Sequence, residues 1–127
     1  MPSYDSSQYN PPAPAAAVIL QNPENADTSA DQVLLIDSGA DATLLPRAAV
    51  EALGIKPLAD KRYELMGFDG STSYASVAIV DLIFLNRRFR GKYLLLDGEN
   101  GVLGRDVLNH LRLLLDGPGQ QWSQYAP

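Results

Sequence analysis

The chain has no cysteine, one histidine (His110) and one tryptophan (Trp122) among its 127 residues. Without cysteine there is no disulfide, no thiol nucleophile and no thiolate metal site. One histidine supplies too few ligands for a His-based zinc centre or a helical HExxH site. No metal or other cofactor is therefore expected. Positive charge is also in short supply, with ten Lys and Arg against fifteen Asp and Glu and a formal net charge of −5. Neither nucleic acid nor an anionic membrane is expected as the main partner, because both require a net basic face. No apolar run exceeds six residues, whereas a membrane-crossing helix needs roughly 20. The first residues, MPSYDSSQYNPPAPAAAVIL, show no basic n-region. No secretory signal is expected on that ground, and the cytoplasm is the default compartment. The length suits one domain with a core of its own and leaves no room for two catalytic lobes.

What is present divides the chain into three parts. Residues 1–13 are rich in Pro, Ser and Tyr without a period and read as a flexible extension. Residues 14–119 read as the folded domain, and residues 120–127 as a tail. Within the domain, Ala15–Leu20 suits a first strand, Gln21–Asp31 a turn-rich linker, and Gln32–Ile36 a strand ending at Asp37-Ser38-Gly39. Pro46–Leu53, closed by Gly54, has helical character. Tyr63–Met66 and Ser73–Leu85 flank a glycine-bounded tip at Gly67–Ser71, the pattern of a β-hairpin. A second turn is expected at Asn86-Arg87-Arg88, a return strand over Phe89–Leu96, a helix over Arg105–Leu111 and a last strand over Leu113–Leu115. The sum is a mostly β domain with two short helices.

Two segments carry candidate chemistry. Leu34-Leu35-Ile36-Asp37-Ser38-Gly39-Ala40-Asp41 puts an acid at the end of an apolar strand, with a glycine two positions on. An isolated buried carboxylate is costly, and glycine lets another backbone come close. Alone, the triplet also suits an ordinary turn at a strand end. Gly101-Val102-Leu103-Gly104-Arg105-Asp106-Val107-Leu108 lies downstream, with Gly104 67 positions after Asp37. Alone, it suits a strand-to-helix turn with a surface arginine.

Together, in this order and with the hairpin tip between them, these segments resemble the retropepsins, the retroviral-type aspartic peptidases. The resemblance runs from about Ala15 to Gly117. It implies a mostly β, closed barrel-like half with a flap hairpin and one or two short helices, working as a two-fold homodimer on an extended peptide or protein substrate. It makes Asp37 the catalytic acid/base, and Ser38, Gly39 and Ala40 its supporting loop. Ser38 would bond the partner loop's backbone, and Gly39 would present its carbonyl to substrate. Asp41 would contact substrate and form an ion pair with Arg105. Val102 would line a side-chain pocket, and Gly67, Phe68, Asp69 and Gly70 would close over the peptide. The chain departs from the family in three places. Phe68-Asp69 stand where the viral flap is glycine-rich, Pro46–Gly54 is more helical, and the family's terminal dimer strands have no clear counterpart in Gln120–Pro127.

Physics supports the implied chemistry. Peptide hydrolysis without metal or covalent nucleophile needs an activated water and a polarised carbonyl, and one ionised plus one protonated carboxyl supply both. With a single Asp-Ser-Gly per chain, the second carboxyl must come from a second copy across a two-fold axis. A rival reading keeps the fold as a non-catalytic dimeric module that binds extended peptides; the intact Asp37-Ser38-Gly39 argues for the enzyme. Arg87, Arg88, Arg90 and Lys92 read as a solvated hairpin, and His110 as a surface residue.

Overall fold

The computed structural model describes residues 2–59, 62–66 and 70–126. In chain order the elements are β1 (Tyr4–Asp5), β2 (Ala13–Asn22), β3 (Asn25–Ile36), β4 (Leu44–Pro46), α1 (Arg47–Glu51), β5 (Arg62–Met66), β6 (Thr72–Phe84), β7 (Arg87–Leu96), β8 (Gly101–Leu103), α2 (Arg105–Leu108), β9 (Leu113–Asp116) and β10 (Gln121–Gln124). The mostly β expectation holds, and none of the described helices is long and apolar enough to cross a membrane.

Eight strands form one sheet in the order β1-β2-β3-β8-β4-β7-β6-β5, and a further pairing of β2 with β6 closes it into a barrel. The closure works because one edge of β2 is shared. Ala13 and Pro14 pair with β1, while Ile19, Leu20 and Gln21 pair with β6. The barrel interior is filled by alternate residues of β2, β3 and β6. Val18, Leu20, Leu34, Val80 and Leu82 join Leu45, Leu95, Leu103 and Trp122 in the main core. A smaller cluster of Ala75, Val77 and Leu94 packs with Ala42, Leu44 and Leu58.

Several boundaries differ from the sequence expectation. Gln21–Asp31, read as a linker, is instead the end of β2, a tight turn at Pro23-Glu24 and much of β3. The ladder to β2 holds this polar arm extended, with Leu20 opposite Ala30 and Val18 opposite Gln32. Pairing outweighs the intrinsic turn preference of its Asn, Asp and Ser residues. The extension is tied down as well. Tyr4 and Asp5 pair with β2, and the Tyr4 N–H donates to the Gln120 carbonyl at 2.8 Å. Both helices are shorter than expected. After α2 the chain continues as single turns, with the His110 N–H on the Val107 carbonyl, because it must swing at once into β9. The β6–β7 turn is Leu85-Asn86, one residue earlier than expected, with φ of 53° and 61°. That mirror-image turn matches the twist of the flanking strands, and the Leu85 side chain packs on the core. The β5–β6 hairpin forms with Met66 opposite Thr72. Gly67, Phe68 and Asp69 of its expected tip lie outside the described residues.

One charge is buried where β2, β6 and β7 meet. The Asp81 side chain is 1% exposed. It accepts bonds from Arg90 Nε at 2.7 Å, Arg90 Nη2 at 3.0 Å and Arg88 Nη1 at 2.8 Å. The hairpin arginines thus fold back onto an acid, and Arg87 reaches the His110 carbonyl at 2.7 Å. The bond from Arg90, followed by Arg88, holds the Asp81 carboxyl below its ordinary value of 3.8 against the opposing effect of burial. A depressed folded-state value adds stability above the ordinary carboxylate range, and that stability is lost as pH falls through the folded value. Asp81→Asn is expected to cost about 1–3 kcal/mol at neutral pH. In urea titrations its midpoint should converge on that of the unsubstituted chain as the pH is lowered below the ordinary carboxylate range.

Candidate active site

Strand β3 delivers Asp37 to the end of the barrel. The parallel pairing of β3 with β8 runs through Leu34–Gly101, Leu35–Val102 and Ile36–Leu103. It continues one bond further, from the Asp37 N–H to the Leu103 carbonyl at 3.1 Å. The chain then turns, with the Ala40 N–H on the Asp37 carbonyl at 3.1 Å, and crosses to the second motif, where the Arg105 N–H donates to the Ala40 carbonyl at 2.9 Å. Two glycines permit this crossing. A Cβ on Gly101 would lie 2.5 Å from the Leu44 carbonyl oxygen, and one on Gly104 would lie 2.6 Å from the Ala42 carbonyl. Neither position has room for a side chain.

The Asp37 carboxyl is half-buried. Its Oδ1 accepts the Gly39 N–H at 2.9 Å, which fixes the plane of the carboxyl against its own loop. No described residue donates to Oδ2, so that oxygen makes no bond within its own loop. Ser38, Gly39 and Asp41 are exposed on the same loop, and Ala40 is half-buried. Val102 is half-buried in β8, opposite both Leu35 and Leu44. Gly70 is exposed at the start of the described part of the hairpin arm.

The expected ion pair of Asp41 with Arg105 is not formed in this chain. Arg105 Nη1 donates instead to the Ser38 carbonyl at 3.2 Å, and Asp41 has no hydrogen bond or ion pair with any described residue. Both side chains lie in water, where an ion pair gains little over solvation. The guanidinium finds a fixed carbonyl of the loop it supports.

The link that the sequence expectation lacked runs through Thr43 and Asp106. Thr43 is fully buried. Its Oγ1 donates to Asp106 Oδ1 at 2.6 Å and accepts the Gly104 N–H at 3.0 Å, while its own N–H donates to Asp106 Oδ2 at 3.0 Å. Asp106 Oδ1 also takes the Val107 N–H at 3.0 Å, at the first turn of α2. A carboxylate in the first turn of a helix was a readable signal; its distant partner, 63 positions away, was not. Thr43→Val keeps the shape but leaves the buried Gly104 N–H without an acceptor. It is expected to lower unfolding stability by about 1–3 kcal/mol. Asp41→Asn, measured in the same urea titration, should stay within about 0.5 kcal/mol of the unsubstituted chain.

With this geometry in view, the comparisons with known proteins are specific. The family described as Aspartyl protease matches residues 27–107, from β3 through the Asp37 loop to α2. Among solved structures, 205 chains are similar. One is the EIAV protease complexed with the inhibitor HBY-793, at 20% identity and a TM-score of 0.58 over 84% of this chain and 91% of that one. At that identity the likeness speaks for the fold. No curated protein sequence matches the chain. The family match spans most of the barrel and both motifs, and the barrel is similar in fold to that of a retroviral protease: this chain belongs to the aspartyl protease family, on a retropepsin-like fold.

Proposed function

We propose that two copies of this chain share one active site in which paired Asp37 carboxyls activate a water for attack on a peptide bond. The observation that carries this reading is a single Asp37 at the barrel end, its Oδ1 held by the Gly39 N–H and its Oδ2 without a donor among the described residues, on a loop whose neighbouring residues are exposed. One carboxyl alone cannot act as base toward water and as donor toward the carbonyl at once. Two carboxylates ~3 Å apart repel by about 5 kcal/mol at an effective dielectric of 20. Such a pair therefore retains one proton over a wide range of pH, as aspartic peptidase dyads in general do. The ionised member takes a proton from water, and the protonated member donates to the carbonyl oxygen. Both protons belong to the pair.

The substrate in this reading is an extended peptide. Its backbone would lie along strand edges near the site and under the β5–β6 hairpin. Gly39 and Asp41 would meet its backbone, Val102 one of its side chains, and Gly67, Phe68, Asp69 and Gly70 would cover it. Arg105 keeps the Ser38 carbonyl in place, leaving the Ser38 hydroxyl to meet the second loop.

The test is a peptide-library digest. The unsubstituted chain should cleave with a bell-shaped dependence on pH, and Asp37→Asn should fold, associate and cleave nothing. Adding excess Asp37→Asn chain should suppress the unsubstituted one, since mixed dimers carry a single competent carboxyl. Cleavage by Asp37→Asn at the unsubstituted rate removes the assignment. Failure of the mixture to suppress activity removes the shared site.

A further inference from the structure

Asp5, Gln8 and Tyr9 of the N-terminal arm form one wall of an open groove of about 700 Å³ on the outer face of the β2–β3 ladder. That volume lies within the ~300–1,000 Å³ usual for ligand sites. The floor is apolar and bare. Ala17 stands opposite Val33, and Ile19 opposite Asp31, so these four side chains share the outer face. Val33 is 55% exposed and Ile19 39%. The apolar strip continues to Ile83 of β6, opposite Ile19. The rim is acidic. Asp5, Asp31 and Glu99 come from the arm, from β3 and from the β7–β8 turn, and no Lys, Arg or His lines the groove. Asp5 is engaged by its own turn, where it accepts the Ser7 N–H and the Ser7 hydroxyl at 2.8 Å each. Asp31 and Glu99 are exposed, and neither pairs with a described residue.

The groove is separate from the candidate active site. None of residues 37–41 lines it. Its arm wall and the β2 half of its floor precede residue 27, where the family match begins. Backbone groups are also unpaired along it. The Asp37 N–H addresses β8, and in an extended strand alternate residues address the same edge. Asp31 and Val33 therefore turn their N–H and C=O groups to the side away from β2. Strand β8 begins at Gly101, opposite Leu34, and leaves both residues without a strand partner. At these two residues the one bond on that side is from Gln32 Nε2 to the Val33 carbonyl, at 3.3 Å.

We infer that this groove docks an extended, cationic and aliphatic segment of a partner protein. The segment pairs with the free backbone groups of Asp31 and Val33 as an added strand. Asp31 and Val33 lie on one face, so the segment must carry its lysines and its aliphatic residues on one face as well, at every second position. The lysines meet Asp31 and Glu99, and the aliphatic side chains cover Val33, Ala17 and Ile19. Exposed ion pairs alone hold little. The apolar contact therefore carries the affinity, while the charges select the partner. The chain's net charge of −5 steers such a segment toward it. The inference needs neither cleavage nor a second copy, so it stands apart from the shared-site reading.

The test is fluorescence anisotropy with fluorescein-labelled Thr-Lys-Thr-Leu-Thr-Lys-Thr. Asp37→Asn is carried in every arm so that the probe is not cut. The probe should bind saturably, and less tightly as sodium chloride is raised. Its counterpart with glutamate for lysine should not bind, and the one with serine for leucine should bind about tenfold more weakly. Asp31→Lys with Glu99→Lys should weaken binding about tenfold or more. Glu24→Lys with Asp27→Lys changes the net charge equally at exposed sites outside the groove, and should stay within about threefold of the Asp37→Asn chain. Failure of the lysine probe to saturate, equal binding of either counterpart, or equal loss in the two charge reversals overturns the docking groove and leaves the shared site standing. Undiminished binding to the Asp31→Lys, Glu99→Lys chain does the same. Where that chain fails to fold, Asp31→Asn with Glu99→Gln decides, and unchanged affinity there overturns the inference.

Discussion

The hydroxyl of Thr43 is donor and acceptor at once, at the point where two segments 61 positions apart meet. It gives its proton to Asp106 and takes that of the Gly104 backbone. The residue and the Gly104 N–H are both buried, so the bond between them is shielded from water and stronger for the low dielectric around it, while Asp106 itself is exposed. The Asp37 loop has little else to define it. Its residues from Ser38 to Asp41 pack lightly, and three of the four are exposed. Its shape is inherited from the strand before it, from Thr43 after it and from the Arg105 N–H beneath it. Asp106 is the anchor common to these, since its two oxygens accept from Thr43 twice and from the start of α2 once.

Arginine and acid in the second motif divide the work differently from the simplest reading of the family pattern. Arg105 and Asp41 do not meet; the arginine holds a carbonyl, and the acid of the following position, Asp106, holds the loop. Asp41 is thereby left unengaged among the described residues, on the same exposed loop as Ser38 and Gly39. A group in that position is available to whatever docks on the loop.

Much of this was legible beforehand where the pattern was local. The apolar strand ending in Asp37, the Gly-Arg-Asp turn into a short helix and the hairpin arms around residue 70 all follow from residue type and alternation. The parts that could not be read depend on pairing between one segment and another. Asn25–Ala30 is polar and turn-prone by composition, yet it is strand because β2 lies beside it. Tyr4 and Asp5 look like part of a loose tail, but β2 and β10 have vacant backbone groups to offer them. Arg88 and Arg90 look solvated, and their heads are in part, but between them lies Asp81 on the neighbouring strand. Thr43 carries no local mark at all. In each case the deciding partner lies on another segment, near or far in sequence, which a periodic pattern within one segment cannot report.

The indole of Trp122 is bonded to a carbonyl 107 positions earlier in the chain, and its backbone to Pro2. The first and last strands are thus knitted to one another over the mouth of the core. During synthesis the N-terminal arm has nothing to pair with along its β10 side until β10 itself has been made, so closure of the core waits for that strand. Contacts of such long span are formed slowly. The only indole in the sequence sits at that junction, so its fluorescence is a natural reporter of the moment when the two ends join.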